Sequence, residues 1–142
     1  MNKSIHHQDM AQISTILGVD FGMSKIGLAI ADEETKMAFA FDTLKNDGEF
    51  LKNLNEIVAS ENVKIIVIGM VSHEKDEKSV QQKKKFAQML EKEIGVEIVF
   101  QDEMFTTKMA QENIKMRGKK NIAKLDDQEA ARIILQSWLD AR

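Results

Sequence analysis

An α/β fold is predicted: a five-stranded mixed sheet in order 3-2-1-4-5, with helices on both faces. Three observations predict it. Val63 to Gly69 is a nearly continuous β-branched run, as expected of a central parallel strand covered on both sides. Strand patterns alternate with helical ones after residue 48, which demands crossover connections. The two patterns before and after Gly22-Met23-Ser24 are separated by only those three residues, which suits a hairpin.

The elements follow in order. Ile16 to Phe21 is the first strand, Lys25 to Asp32 the second and Met37 to Leu44 the third, forming an antiparallel meander. Asn46-Asp47-Gly48 breaks the pattern. With no proline in the chain, Gly, Asn and Asp mark the boundaries. A helix then places Phe50, Leu51, Leu54, Ile57 and Val58 on one face. After the Val63 strand, a long helix from about Asp76 to Ile94 carries Val80, Ala87, Leu90 and Ile94, and Gly95 ends it. Val96 to Phe100 is the fifth strand. Thr106 or Thr107 can cap a helix running to about Met116, and a last helix spans about Asp127 to Ala141. Right-handed crossovers put the fourth and fifth strands beside the first. The order then reverses next to the first strand, where sites form at carboxyl ends.

Length and composition are those of one compact domain. The chain has 142 residues, 43% hydrophobic and 30% charged. Residues 1–14 read as a flexible tail and 15–142 as the domain. No apolar run approaches the roughly 18 residues of a membrane helix, and the N-terminus lacks an apolar signal core. There is no cysteine, hence no disulfide framework or thiolate site. These features point to the cytoplasm and away from membranes. The net charge of −3 excludes a whole-protein basic field for nucleic acid. A local one exists: Lys115, Arg117, Lys119, Lys120 and Lys124, with no acid between Ile114 and Leu125, either a basic binding loop or a solvated linker. Lys83-Lys84-Lys85 falls on a solvated helix face. His6-His7 lies in the tail without further ligands, and His73 reads as a loop histidine.

Three acids carry the chemistry. Asp20 stands at the carboxyl end of a buried strand, where an unbalanced charge is costly. Glu103 follows the fifth strand. Asp127 opens the last helix, behind an N-cap Asp126 with Glu129 three positions on, and leads a stripe of Ala130, Ala131, Ile134 and Trp138. Each has a plainer role open to it: an Asx turn before Gly22 for Asp20, a loop acid for Glu103, and a dipole partner for Asp127. If the three converge, hard oxygen ligands suit Mg²⁺ or Mn²⁺. Two such ions about 3.5–4 Å apart can clamp a phosphodiester without a nucleophilic side chain.

The segments Asp20-Phe21-Gly22-Met23-Ser24-Lys25-Ile26-Gly27-Leu28-Ala29, Asp102-Glu103-Met104-Phe105-Thr106-Thr107 and Asp127-Gln128-Glu129-Ala130-Ala131-Arg132-Ile133-Ile134-Leu135-Gln136-Ser137 resemble, in order, three motifs of the YqgF family. The resemblance implies a ribonuclease H-like three-layer fold. It also implies a nuclease that matures the 5′ end of precursor 16S rRNA or resolves DNA junctions, and Asp20, Glu103 and Asp127 as the catalytic, metal-binding set. Lys25, Thr106, Thr107 and the basic residues Lys115, Arg117, Lys119 and Lys120 then face substrate. Three departures stand out. The first motif has Ser24-Lys25 where the family has a basic pair, the second has Met104 where it has arginine, and Gly69-Met70-Val71 replaces Gly-Leu-Pro. The expected partner is structured RNA or branched DNA, bound by a monomer or a homodimer. The alternatives are a catalytically weak nucleic-acid-binding or ribosome-associated module on the same fold, or an actin-like ATPase, which needs two such domains and a phosphate loop missing here.

Overall fold

The computed structural model describes residues 13–70, 77–102 and 126–142. The strands are β1 (Thr15–Asp20), β2 (Lys25–Asp32), β3 (Phe39–Lys45), β4 (Val63–Met70) and β5 (Glu97–Asp102); the helices are α1 (Phe50–Ser60), α2 (Glu77–Glu93) and α3 (Asp127–Asp140). The sheet order is β3-β2-β1-β4-β5. β1 to β3 are antiparallel neighbours, while β4 lies parallel to β1 and β5 parallel to β4. The predicted topology is thus the observed one. Strand boundaries agree to within one residue except at two, which differ by two residues. β3 starts at Phe39 rather than Met37, because Asp32 Oδ1 accepts from the backbone N–H groups of Glu34 and Thr35 and so extends the preceding turn. β5 runs two residues past Phe100, because β4 still offers Gly69 and Met70 as partners for Gln101 and Asp102. The predicted helix over Thr106 to Met116, the basic stretch, His73 and most of the tail lie outside the described residues.

Strand alternation sorts side chains onto two faces. On one face, Leu17, Val19, Ile26, Leu28, Ile66 and Ile68 meet Phe50 and Leu54 of α1 and Phe86, Ala87 and Leu90 of α2. Phe86 adds a ring to the face predicted for α2, at 4.6 Å from Phe21 and 5.6 Å from Phe50 between ring centroids. On the other, Ile16, Ala29, Ala31 and Val67 receive Ala131, Ile134, Leu135 and Leu139 of α3. The second face is lined by small residues, which lets α3 come close. Gly18 takes this furthest: a Cβ there would lie 2.7 Å from Leu135 Cβ and 2.8 Å from the Ala131 carbonyl oxygen. Gly95 ends the α2 segment with φ +81°, as its position after the apolar stripe predicts.

Candidate functional site

The site begins at the carboxyl end of β1. Ile16 and Gly18 both face α3, so alternation puts Asp20 on that face too. Its neighbour Phe21 turns the other way and packs its ring, tilted by 45°, against Phe86, anchoring the chain just past the carboxylate. Asp20 pairs with Gly27 in the β1–β2 ladder. The α3 helix starts directly over that glycine: a Cβ on Gly27 would overlap the Asp127 carbonyl and come within 2.8 Å of Asp127 Cβ. Ladder partners have Cα atoms about 4.5–5.5 Å apart. One Cβ-less residue therefore separates the backbones of Asp20 and Asp127, and two acids 107 positions apart in the chain are brought to one strand end.

Local interactions hold α3 there. The Asp126 carboxylate accepts from the Gln128 backbone N–H at 3.0 Å, which makes it the N-cap and leaves the first helical residue to Asp127. The Gln128 side-chain amide donates to Thr43 Oγ1 on β3 at 3.2 Å. Glu129 holds Arg132 through two bonds of 2.9 and 2.6 Å, and this raises the guanidinium's pKa further. At the far end, Gln136 accepts from Ala38 N–H and donates to the Lys36 carbonyl, tying α3 to the β2–β3 connection. Asp127 lies in the first turn of α3, where the positive end of the helix dipole favours a carboxylate.

Asp20 and Asp127 are both half-buried, open enough to reach a ligand. Both offer only hard oxygen donors, the kind that suits a divalent cation. Among the described residues no group of three acidic or histidine side chains forms a metal cluster. Glu103, Thr106, Thr107, Lys115, Arg117, Lys119 and Lys120 lie outside the described residues. Asp102, the neighbour most easily confused with Glu103, is placed by alternation with Ile98 and Phe100 on the α2 side, opposite Asp20. Lys25 is exposed at the start of β2, on the α3 face, directly opposite Lys45. Gly18, Gly27, Thr43 and Lys45 escaped the sequence reading. The signal for Gly27 was present: Gly27, Ala29 and Ala31 alternate with Ile26, Leu28 and Ile30, small on one face and large on the other.

The sheet order is that of a ribonuclease H-like fold, with an acid ending the central strand and a second acid heading the helix laid across it. The chain superposes on Thermus thermophilus RuvC, solved in complex with a Holliday junction substrate, with a TM-score of 0.62 over 91% of this chain and 95% of that one; at 14% identity the likeness is one of fold. Residues 14–141 match the model of the RuvX family, described as Holliday junction resolvase, and the chain belongs to that family. Two relatives, both named "Putative pre-16S rRNA nuclease", are similar over nearly their full lengths. The one from Sulfurihydrogenibium sp. is 33% identical over 132 residues, covering 90% of this chain and 91% of its own. That from Caldanaerobacter subterraneus is 35% identical over 136 residues, covering 89% and 96%. This is the family that the three motifs resemble.

Proposed function

We propose that this chain is a metal-dependent nuclease that hydrolyses phosphodiester bonds in structured RNA and works in the cytoplasm on the 5′ end of precursor 16S rRNA. The observation that carries the proposal is the seating of Asp127 on Gly27, the ladder partner of Asp20. Such a pair needs a reason to be held together, because close carboxylates repel and a partly buried charge is costly. A shared cation supplies one. In this reading Asp20, Asp127 and Glu103 would hold Mg²⁺ or Mn²⁺, and the bound cation would lower the pKa of a water and offset the charge on the leaving oxygen.

The protein's own part is geometric. Asp20 rides on a strand paired on both sides, and Asp127 on a capped helix, so both acids are positioned before substrate arrives. Lys25 lies on the same face and holds a phosphate; Lys115, Arg117, Lys119 and Lys120 bind the nucleic-acid backbone, and Thr106 and Thr107 bind substrate. Supporting the RNA substrate are the names carried by relatives at 33 and 35% identity. The family description favours a second substrate, branched DNA. No helix among the described residues is long and apolar enough to cross a membrane, in keeping with a soluble substrate.

The test is incubation of the pure protein with precursor 16S rRNA in Mn²⁺ and, separately, in Mg²⁺, beside Asp20→Asn and with a four-way DNA junction in parallel. Asp20→Asn is expected to keep the fold, read by circular dichroism, and to lose cleavage by at least a hundredfold, as loss of a transition-state electrostatic contact does. Undiminished cleavage by Asp20→Asn would sink the mechanism. Binding without turnover in either cation would favour a module that only binds.

A further inference from the structure

The geometry points to Lys45 as a second phosphate-anchoring residue that acts as a pair with Lys25 beside the acid site; this rests on the nuclease reading above. In the β2–β3 ladder Lys25 faces Lys45, and the next row on the same face is Gly27 facing Thr43. The Gln128–Thr43 hydrogen bond fixes which face that is, since Gln128 belongs to α3. Leu44, between Thr43 and Lys45, turns instead into the α1–α2 core. Both ammonium groups therefore start from the face that carries Asp20 and Asp127. The Cα atoms of the two lysines stand one row from the Gly27–Thr43 pair, about 6.5–7 Å along the strand.

Like charges directly opposite in a ladder destabilise it. Lys25 and Lys45 are both exposed, and among the described residues neither forms an ion pair. The strand ends that carry them are nevertheless held in register. Asn46 N–H donates to the Ser24 carbonyl at 2.9 Å, and the Asn46 side-chain amide donates to the Gly22 carbonyl at 2.8 Å. The repulsion is thus fixed in place rather than relaxed by fraying. A phosphate between the two ammonium groups turns that repulsion into binding. An edge strand also uses lysine to block pairing with other chains, but that role needs no second lysine across the ladder on the same face.

The experiment measures binding of a fluorescein-labelled single-stranded RNA by anisotropy, in Ca²⁺, between about 50 and 200 mM KCl. Lys45→Gln and Lys25→Gln are each expected to raise Kd about three- to tenfold and to flatten the slope of log K against log salt by about 0.7. Lys45→Arg restores both. Lys64→Gln, exposed near the start of β4 and hence at the other end of the sheet, changes neither. The melting temperature of Lys45→Gln should equal or exceed that of the parent, because a repulsion is removed. A parent-like slope for Lys45→Gln, beside a flattened one for Lys25→Gln, overturns the Lys45 assignment and leaves the nuclease reading standing. A parent protein that binds no RNA overturns both.

Discussion

Replacing Gly27 with alanine separates the positioning of the acids from their presence. The added Cβ would overlap the Asp127 carbonyl and lie 2.8 Å from Asp127 Cβ. Ordinary carbon contacts are about 3.5–4.0 Å, so the first turn of α3 must lift by about 1 Å. Neither obstructing atom is the end of a flexible side chain, and so the helix itself has to move. Overpacking of this kind costs about 1–3 kcal/mol, a fall in melting temperature of roughly 3–12 °C for a chain of this size. The effect on chemistry is of the same order, because about 1 Å of misplacement can cost about a hundredfold in rate, equivalent to about 2.7 kcal/mol. The assay pairs thermal melting with single-turnover cleavage of precursor rRNA. Gly27→Ala should remain folded, keep its RNA affinity within about twofold because no basic group has changed, and lose most of its cleavage rate. Cleavage at the parent rate would show that Asp127 need not sit where Gly27 admits it, and would refute the reasoning.

Two further outcomes are expected. Asp126→Ala removes the N-cap of α3 and should lower stability by about 0.5–2 kcal/mol, read by urea denaturation, while cleavage falls far less than in Asp20→Asn because Asp126 Oδ1 is occupied by the Gln128 N–H. Asp32 is held below the usual carboxylate range by hydrogen bonds from Thr35, then Glu34, with desolvation opposing them. A carboxyl depressed in the fold contributes stability above its unfolded pKa, about 3.9, and loses it as pH falls through the lower folded value. The melting-temperature gap between the parent and Asp32→Asn should therefore close on acidification below about pH 4; a gap independent of pH would show that the charge is immaterial to the turn.

What the sequence disclosed depended on the range of the physics involved. Alternation and β-branching are local, so the five strands and their order could be read from Val63 to Gly69 and from the short Gly22–Ser24 turn. Asp20 stood out for a local reason too, as a carboxylate ending an apolar run. Asp126 and Asp127 could be told apart because capping follows from immediate neighbours. The apolar stripe of α3 was read one residue off centre: Ala131, Ile134, Leu135 and Leu139 face the sheet, while Trp138 lies at the margin with the Arg142 guanidinium 4.3 Å from its ring centroid. Helical periodicity gives a face but not the angle at which a sheet meets it. Lys45 and Thr43 were invisible for a different reason. Their importance comes from cross-strand register, and a bulge between Leu28 and Ala29 shifts the β2–β3 pairing in a way that composition does not encode.

The separation of Asp20 from Asp127 is set by docking rather than by the loops around it. α3 rests on two glycine seats. Gly27 lies under its first residue and Gly18 under Ala131 and Leu135, its second and third turns. Both seats are on strands whose register is fixed by neighbours, Gly18 facing Ala29 on β2 and Val67 on β4. A helix supported at two points can tilt but cannot slide without losing one of them. Filling the Gly18 seat would therefore pivot α3 about Gly27 and mainly displace its C-terminal half, whereas filling Gly27 raises Asp127 itself. The Gln136 bonds to the Lys36–Ala38 connection resist the first motion, and the Gln128–Thr43 bond resists the second. The acid pair is thus a property of how closely α3 approaches the sheet. Small residues on one face of β1 and β2 belong to the site as much as the carboxylates do.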